Sequence, residues 1–341
     1  MSSYLGLDWK AYGGVAVALS LGVGVVGCGG ASAPAQAPSQ ADPPLTDEPS
    51  SGGGAAAPAS NAKVKEGMDA IQAQDFAKAK AVLEEAVKES PKDPQAAFYL
   101  GVAVEGTGDP KGAAEHYRRA LSLDPKLTEA STNLSGVLLD ADDAPGALAA
   151  ADAGLKVAPK SPPLLRNRAV ALDATGSKDA VAAFKAAVAA SPNEQEIHYL
   201  YAEALARSGD QKAAVAEATP LTGSEDVGVL ASAGRLLGKL KAFDGCVTAL
   251  DKAVAKKAVP ELIVQRGLCK HGKKDDKGAS ADFAAAIAAD PKFAPAHYYL
   301  GQQKRAEGDK KGAKAELQKA ADLDASGGIG TAAKKALSEL K

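Results

Sequence analysis

Shifted against itself by about 34 residues, the chain beyond residue 60 brings the same punctuation into register repeatedly: a small residue within one apolar run, a polar turn, an Ala-rich second run, and a proline. The clearest copy runs from Pro94 to Leu127, with Leu100-Gly101 in the first run, Gly108-Asp109 at the turn, Ala113, Tyr117 and Ala120 in the second, and Asp124-Pro125 closing it. A period of that length holds two helices and a turn but cannot bury its own apolar face, so successive units must stack on one another. Composition points the same way. Aromatic residues are only 4% of the 341, whereas a β-sandwich or barrel would need far more Val, Tyr and Phe, and alanine suits helices that pack closely.

These residues resemble the tetratricopeptide repeat consensus, which places small residues at positions 8, 20 and 27 of each copy, a large one at 24 and proline at 32. The same grid picks out Gly67, Ala79, Leu83, Ala86 and Pro91, then Ser135, Ala147, Gly154 and Pro159, then Ala169, Ala180, Phe184, Ala187 and Pro192. Further on it picks out Ala202, Gly209 and Ala214, Gly234, Cys246, Leu250 and Ala253, Gly267, Ala279, Phe283, Ala286 and Pro291, and Gly301, Gly308, Ala313, Leu317 and Ala320. The resemblance implies an all-α, right-handed superhelical solenoid of about eight helix-turn-helix repeats. They lie near 60–93, 94–127, 128–161, 162–194, 195–226, 227–259, 260–293 and 294–327, within an array spanning 60–330, and residues 331–341 form a C-terminal capping helix. The fourth copy has a turn one residue short. In the fifth, Pro220 truncates the second helix, which predicts a kink or hinge before the sixth.

Residues 11–27 form an uncharged apolar run between Lys10 and Cys28, of signal-peptide length and short of a comfortable membrane span. Val25-Val26-Gly27-Cys28 resembles the bacterial lipobox, which implies removal of residues 1–27 and lipidation of Cys28 in a lipoprotein of the cell envelope; an uncleaved anchor or a soluble export signal is the alternative. One acyl chain binds a membrane only marginally, at about 0.8 kcal/mol per methylene, whereas the several chains of a lipoprotein hold firmly. Gly29, standing where an aspartate would retain an enterobacterial lipoprotein in the inner membrane, directs the expectation to the outer membrane, facing the periplasm. Residues 28–59 contain Pro34, Pro38, Pro43, Pro44, Pro49 and Pro58 and no aromatic residue, Lys or Arg. They read as a tether spanning roughly 30 Å as a coil and up to about 95 Å as polyproline.

No reaction centre is legible. The motifs of zinc hydrolysis, acyl transfer and phosphate binding are missing from the sequence, so no catalytic residue, metal ligand or cofactor is assigned. His198 and His297 fall at equivalent repeat positions, each followed by Tyr, and read with His116 as packing or surface residues; His271 lies in a Lys-rich turn. Asp140, Asp142 and Asp143 read as a polar turn. A formal net charge of −2 offers nucleic acid no general attraction, so none is expected as a partner. Cys246 and Cys269 lie on neighbouring repeats, either as a disulfide or as two buried thiols.

The resemblance also implies a concave surface lined by the first helices that receives a peptide or a helix. Its positions here hold Phe98, Tyr99, Asn133, Arg166, Asn167, Tyr199, Arg235, Gln265, Tyr298, Tyr299 and Gln302. Asn and Gln can bond a peptide backbone as donor and acceptor, and Tyr adds rigid contact area; for each aromatic a core role stands beside the groove role. The function expected is a membrane-tethered scaffold or assembly factor binding other proteins. The alternatives are an envelope enzyme or carbohydrate-binding protein, or a structural spacer.

Overall fold

The computed structural model describes residues 58–340. Among them are seventeen α-helices and no strand: α1 (Pro58–Gln72), α2 (Phe76–Glu89), α3 (Pro94–Gly106), α4 (Pro110–Leu123), α5 (Thr128–Asp140), α6 (Ala144–Val157), α7 (Pro162–Ala174), α8 (Ala180–Ala190), α9 (Gln195–Ser208), α10 (Gln211–Ala218), α11 (Val227–Lys239), α12 (Phe243–Lys256), α13 (Pro260–Gly272), α14 (Asp276–Ala289), α15 (Ala294–Ala306), α16 (Lys310–Leu323) and α17 (Gly328–Glu339). Helices α1 to α16 pair consecutively as hairpins, and each hairpin packs on the next within its unit. The described residues are all-α, and within each unit their hairpins stack in the tetratricopeptide manner. Helix α1 begins at Pro58, two residues inside the stretch assigned to the tether, because proline at a first helical position sacrifices no hydrogen bond.

One design recurs at the hairpin turns. Asp75, Asp109, Asp143, Asp210, Asp275 and Asp309 cap their second helices by accepting the N–H three residues on, as from Gly112 to Asp109 at 2.9 Å and from Gly312 to Asp309 at 2.8 Å. Just before these six caps the backbone turns left-handed, at Gln74, Gly108, Asp142, Gly209, Lys274 and Gly308, and it does so also at Gly176 and Lys241 in the fourth and sixth hairpins, whose second helices have no side-chain cap. Glycine takes that conformation freely, while a residue with a Cβ gives up about 1–2 kcal/mol there. The fourth hairpin departs from the design: its second helix starts late, at Ala180, after a turn in which the Ser177 hydroxyl accepts the Asp179 N–H at 3.2 Å.

Close approach between small and large residues holds each hairpin together. A Cβ on Gly101 would lie 2.6 Å from the Tyr117 ring, one on Gly67 2.4 Å from Leu83, and one on Gly267 2.7 Å from Phe283. Tyr117, Leu83 and Phe283 are fully or almost fully buried as a result. A second contact joins successive hairpins, where Phe76 fills the space over Gly106 and Phe243 that over Gly272.

The described residues form two compact units, one ending at Thr222 and the other beginning at Gly223. That boundary lies where Pro220 interrupts the pattern: α10 stops at Ala218 and a 3-10 turn over Thr219–Gly223 replaces the rest of the helix, since proline has no N–H and clashes with the preceding turn. In the second unit a disulfide joins Cys246 on α12 to Cys269 on α13, with Cα atoms 6.1 Å apart and both side chains buried. Helix α17 starts at Gly328, three residues before the predicted cap, because the Asp324 carboxylate accepts the Gly330 N–H at 3.0 Å and fixes the entry. It buries Ile329, Ala333 and Ala336 in a cluster with Leu317 and Ala320 of α16 and leaves Thr331, Lys334 and Lys335 exposed.

Gly101→Val is expected to cost about 2–3 kcal/mol, read as a fall in urea midpoint; an unchanged midpoint would show that the hairpin does not depend on this approach. Alkylation of the folded, non-reduced protein should leave Cys246 and Cys269 unlabelled, and Cys246→Ala/Cys269→Ala should lose about 2–4 kcal/mol of stability.

Candidate binding face

Within each unit the first helices of successive hairpins touch: α1 with α3, α5 with α7 and α7 with α9 in the first unit, α11 with α13 and α13 with α15 in the second. Among the described residues no two second helices approach as closely. A stack whose one layer is tighter bends toward that layer, so the odd-numbered helices line the hollow flank of each unit.

In the first unit this flank is a run of hydrogen-bonded side chains. Tyr99 is half-buried and meets Phe98 edge-on with ring centroids 5.1 Å apart; Phe98 itself is buried and belongs to the core. Asn133 donates to the Tyr117 hydroxyl at 3.3 Å, and that hydroxyl donates to Glu105 at 2.5 Å. Arg166 pairs with Glu194 at 3.0 Å, and the Tyr199 hydroxyl donates to Glu203 at 2.8 Å. Asn167 departs from the sequence expectation. It is buried, and its amide donates to the Ser135 hydroxyl at 2.8 Å and the Thr132 carbonyl at 3.2 Å, so it ties α7 to α5 and is spent before any partner arrives.

Sequence reasoning missed the carboxylates here. Burial raises the Glu105 carboxyl above the usual range against the opposing effect of the Tyr117 hydroxyl, and the nearby Asp140 charge adds to the rise. Burial also raises Asp140 itself and Glu196, where Arg166 opposes the rise and Glu194 adds to it. The Tyr99 phenol is raised by burial and then by Glu129. Their positions on the repeat grid were readable, but not their shared surroundings.

In the second unit Tyr299 stacks on Phe283 at 5.7 Å and meets Tyr298 edge-on at 5.1 Å, while Gln302 donates to the Tyr298 hydroxyl at 3.0 Å. Arg235 and Gln265 are partly buried, and the Arg235 Nε and Gln265 Oε1 atoms are enclosed without a hydrogen-bond partner. Next to Gln265 on α13, Arg266 reaches Asp282 on α14 through two nitrogens, at 2.9 and 2.7 Å, and Asp251 on α12 at 3.0 Å.

Two histidines show a repeated device. His297 Nδ1 lies 2.6 Å from Glu316 and Nε2 3.0 Å from the Pro291 carbonyl; His198 meets Glu217 and the Pro192 carbonyl in the same way. A carbonyl only accepts, so Nε2 is the donor to it. The His297 side chain is 3% exposed and that of His198 24%. The short α10 leaves His198 beside a cleft of about 380 Å³ lined by Pro192, Asn193, Glu217 and Pro220. The identical Pro-His-Glu spacing in both copies was visible in the sequence and not used. Asp140 ends α5, Asp142 makes the turn and Asp143 caps α6, and among the described residues no cluster of three His, Cys, Asp or Glu side chains could hold a metal ion. No helix among them is long and apolar enough to cross a membrane.

Two tetratricopeptide repeat family models match the chain, one over residues 64–127 and 170–219 and the other over 106–169. Among solved structures the chain is similar to PilF of Pseudomonas aeruginosa, at 18% identity and a TM-score of 0.50 over 59% of this chain and 92% of that one. It is also similar to MamA of Desulfovibrio magneticus RS-1, at 22% identity and a TM-score of 0.45 over 48% of this chain and 93% of that one. Yeast Tom70 follows at 18% and 0.46, over 82% of this chain and 64% of that one. At 18% identity the likeness to PilF concerns the fold alone. No curated protein sequence matches the chain.

A carboxyl raised by folding adds stability while protonated, and that contribution is complete in acid and lost as pH climbs through the raised value. Gln at 105 stays neutral and still accepts the Tyr117 hydroxyl. Glu105→Gln should therefore raise the urea midpoint at neutral pH, by under about 1 kcal/mol, with the gain vanishing in acid; a difference independent of pH would contradict this account.

Proposed function

We propose that this tetratricopeptide array is a membrane-tethered scaffold or assembly factor whose hollow flanks bind segments of other proteins. Tetratricopeptide repeats generally mediate contacts between proteins, and the observation that supports the reading here is the line of partly buried Tyr, Arg and amide side chains on the odd-numbered helices: Tyr99, Asn133, Arg166 and Tyr199 in the first unit, Arg235, Gln265, Tyr299 and Gln302 in the second. Held on helices and already oriented by neighbours, these groups lose little freedom when a partner docks.

The tether rests on Val25-Val26-Gly27-Cys28 and the Pro-rich residues 28–59, which lie outside the described residues except for Pro58 and Ala59 at the start of α1. In this reading acyl chains on Cys28 hold the protein at the outer membrane, and the polar linker lets the folded units stand clear of the lipid surface in the periplasm.

Two measurements test the two halves separately. Cys28→Ser should abolish incorporation of labelled palmitate and move the protein from the membrane to the soluble fraction; retention of both would remove the lipid anchor. Capture from cross-linked envelopes, with partners identified by mass spectrometry, should lose its specific partner at least about tenfold with Tyr99→Ala/Tyr199→Ala, provided circular dichroism shows the helices intact. Undiminished capture by that variant would exclude the flank of the first unit.

A further inference from the structure

The flank of the first unit holds more carboxylates than its own cations match. Its floor is apolar, made by half-buried Val102, Leu139, Val170 and Leu200 on α3, α5, α7 and α9. Around that floor stand Glu105, Glu129, Asp140, Glu196 and Glu203. The three arginines of the same helices are already committed, Arg166 to Glu194, Arg168 to Asp152 and Arg207 to Asp173. Glu105 and Glu203 accept hydrogen bonds from the neutral hydroxyls of Tyr117 and Tyr199. Among the described residues none of the five carboxylates takes part in an ion pair.

We propose that this flank binds a basic segment of another protein in which Lys or Arg side chains alternate with apolar ones. The inference rests on the scaffold reading above and names the chemistry of its partner. An extended chain turns successive side chains to opposite sides, so one set reaches the apolar floor while the other meets the acidic rim. Repulsion between carboxylates, which adds to the rise of the Glu105 and Glu196 carboxyls, is relieved when cations arrive. Contrast within the molecule supports the choice: α11, α13 and α15 of the second unit carry a single carboxylate, Glu261, beside Arg235, the neutral Gln265 and Gln302, and an Arg305 already paired with Glu339, and offer a basic segment a weaker field. Complementary charge of this kind governs which partner is accepted and how fast it docks more than it adds affinity.

The test is fluorescence polarisation with the folded protein and two labelled twelve-residue peptides, one alternating Lys and Leu, the other with Glu in place of each Lys. The basic peptide should bind, weaken as salt screens the exposed charges, and lose about tenfold in affinity with Glu129→Gln/Glu196→Gln. A control, Glu84→Gln/Glu115→Gln on α2 and α4, removes the same net charge elsewhere and should leave binding unchanged. Equal binding of the acidic peptide, equal losses in the two double variants, or sedimentation showing the flank occupied by a second copy of the chain would overturn the proposal. Should the basic peptide fail to bind while envelope capture still depends on Tyr99 and Tyr199, the charge inference falls and the scaffold reading stands.

Discussion

The structure depends on how near two antiparallel helices can come. Where Gly101 faces Tyr117 or Gly267 faces Phe283, the space left by a missing side chain on one helix is filled by a large one from the other, so the interface keeps the density, and with it the dispersion attraction, of a well-packed interior. That single accommodation is repeated in both units, and everything else is arranged around it. Asp caps begin the second helix in register with the first, a left-handed residue makes the reversal short, and proline after the second helix clears the way for the next pair. Since no pair covers its own apolar face, the approach within one hairpin is worth little until its neighbour seals it.

This hierarchy explains what could be read from the letters. Gly67, Gly101, Gly234, Gly267 and Gly301 lie one fixed interval before Leu83, Tyr117, Leu250, Phe283 and Leu317, so the packing contact is written directly into spacing. The turns were harder to read, because Gln74, Asp142, Lys241 and Lys274 adopt a backbone that only glycine advertises. Helix ends at Pro58 and Gly328 shifted by a few residues because capping depends on local hydrogen bonds and not on the repeat.

The binding face was less legible for a different reason. A grid position says which way a side chain leaves its helix but not what meets it there. Asn167 and Asn133 occupy equivalent positions, yet Asn167 is consumed by Ser135 and Thr132, while Asn133 reaches a tyrosine hydroxyl at the margin. The acidic character of the first flank arises from residues on three helices that are far apart in sequence, Glu105, Asp140 and Glu196, and no window along the chain contains it. The paired histidines carry the opposite lesson, since their partners recur at constant separation and the arrangement was present in the spacing of Pro192, His198 and Glu217 and again of Pro291, His297 and Glu316.

The bond between Cys246 and Cys269 changes how such a stack can come apart. Linear arrays fray from their ends, hairpin by hairpin, because each element is secured only by the one beside it. Unravelling that starts at α17 passes through α16, α15 and α14 and then meets a covalent stitch between α12 and α13. Past that stitch the sixth and seventh hairpins must open together or not at all, so a graded melting becomes a step. In an oxidising compartment the C-terminal end can therefore breathe without passing its disorder inward, and a protease that trims the tail finds a stop at the seventh hairpin.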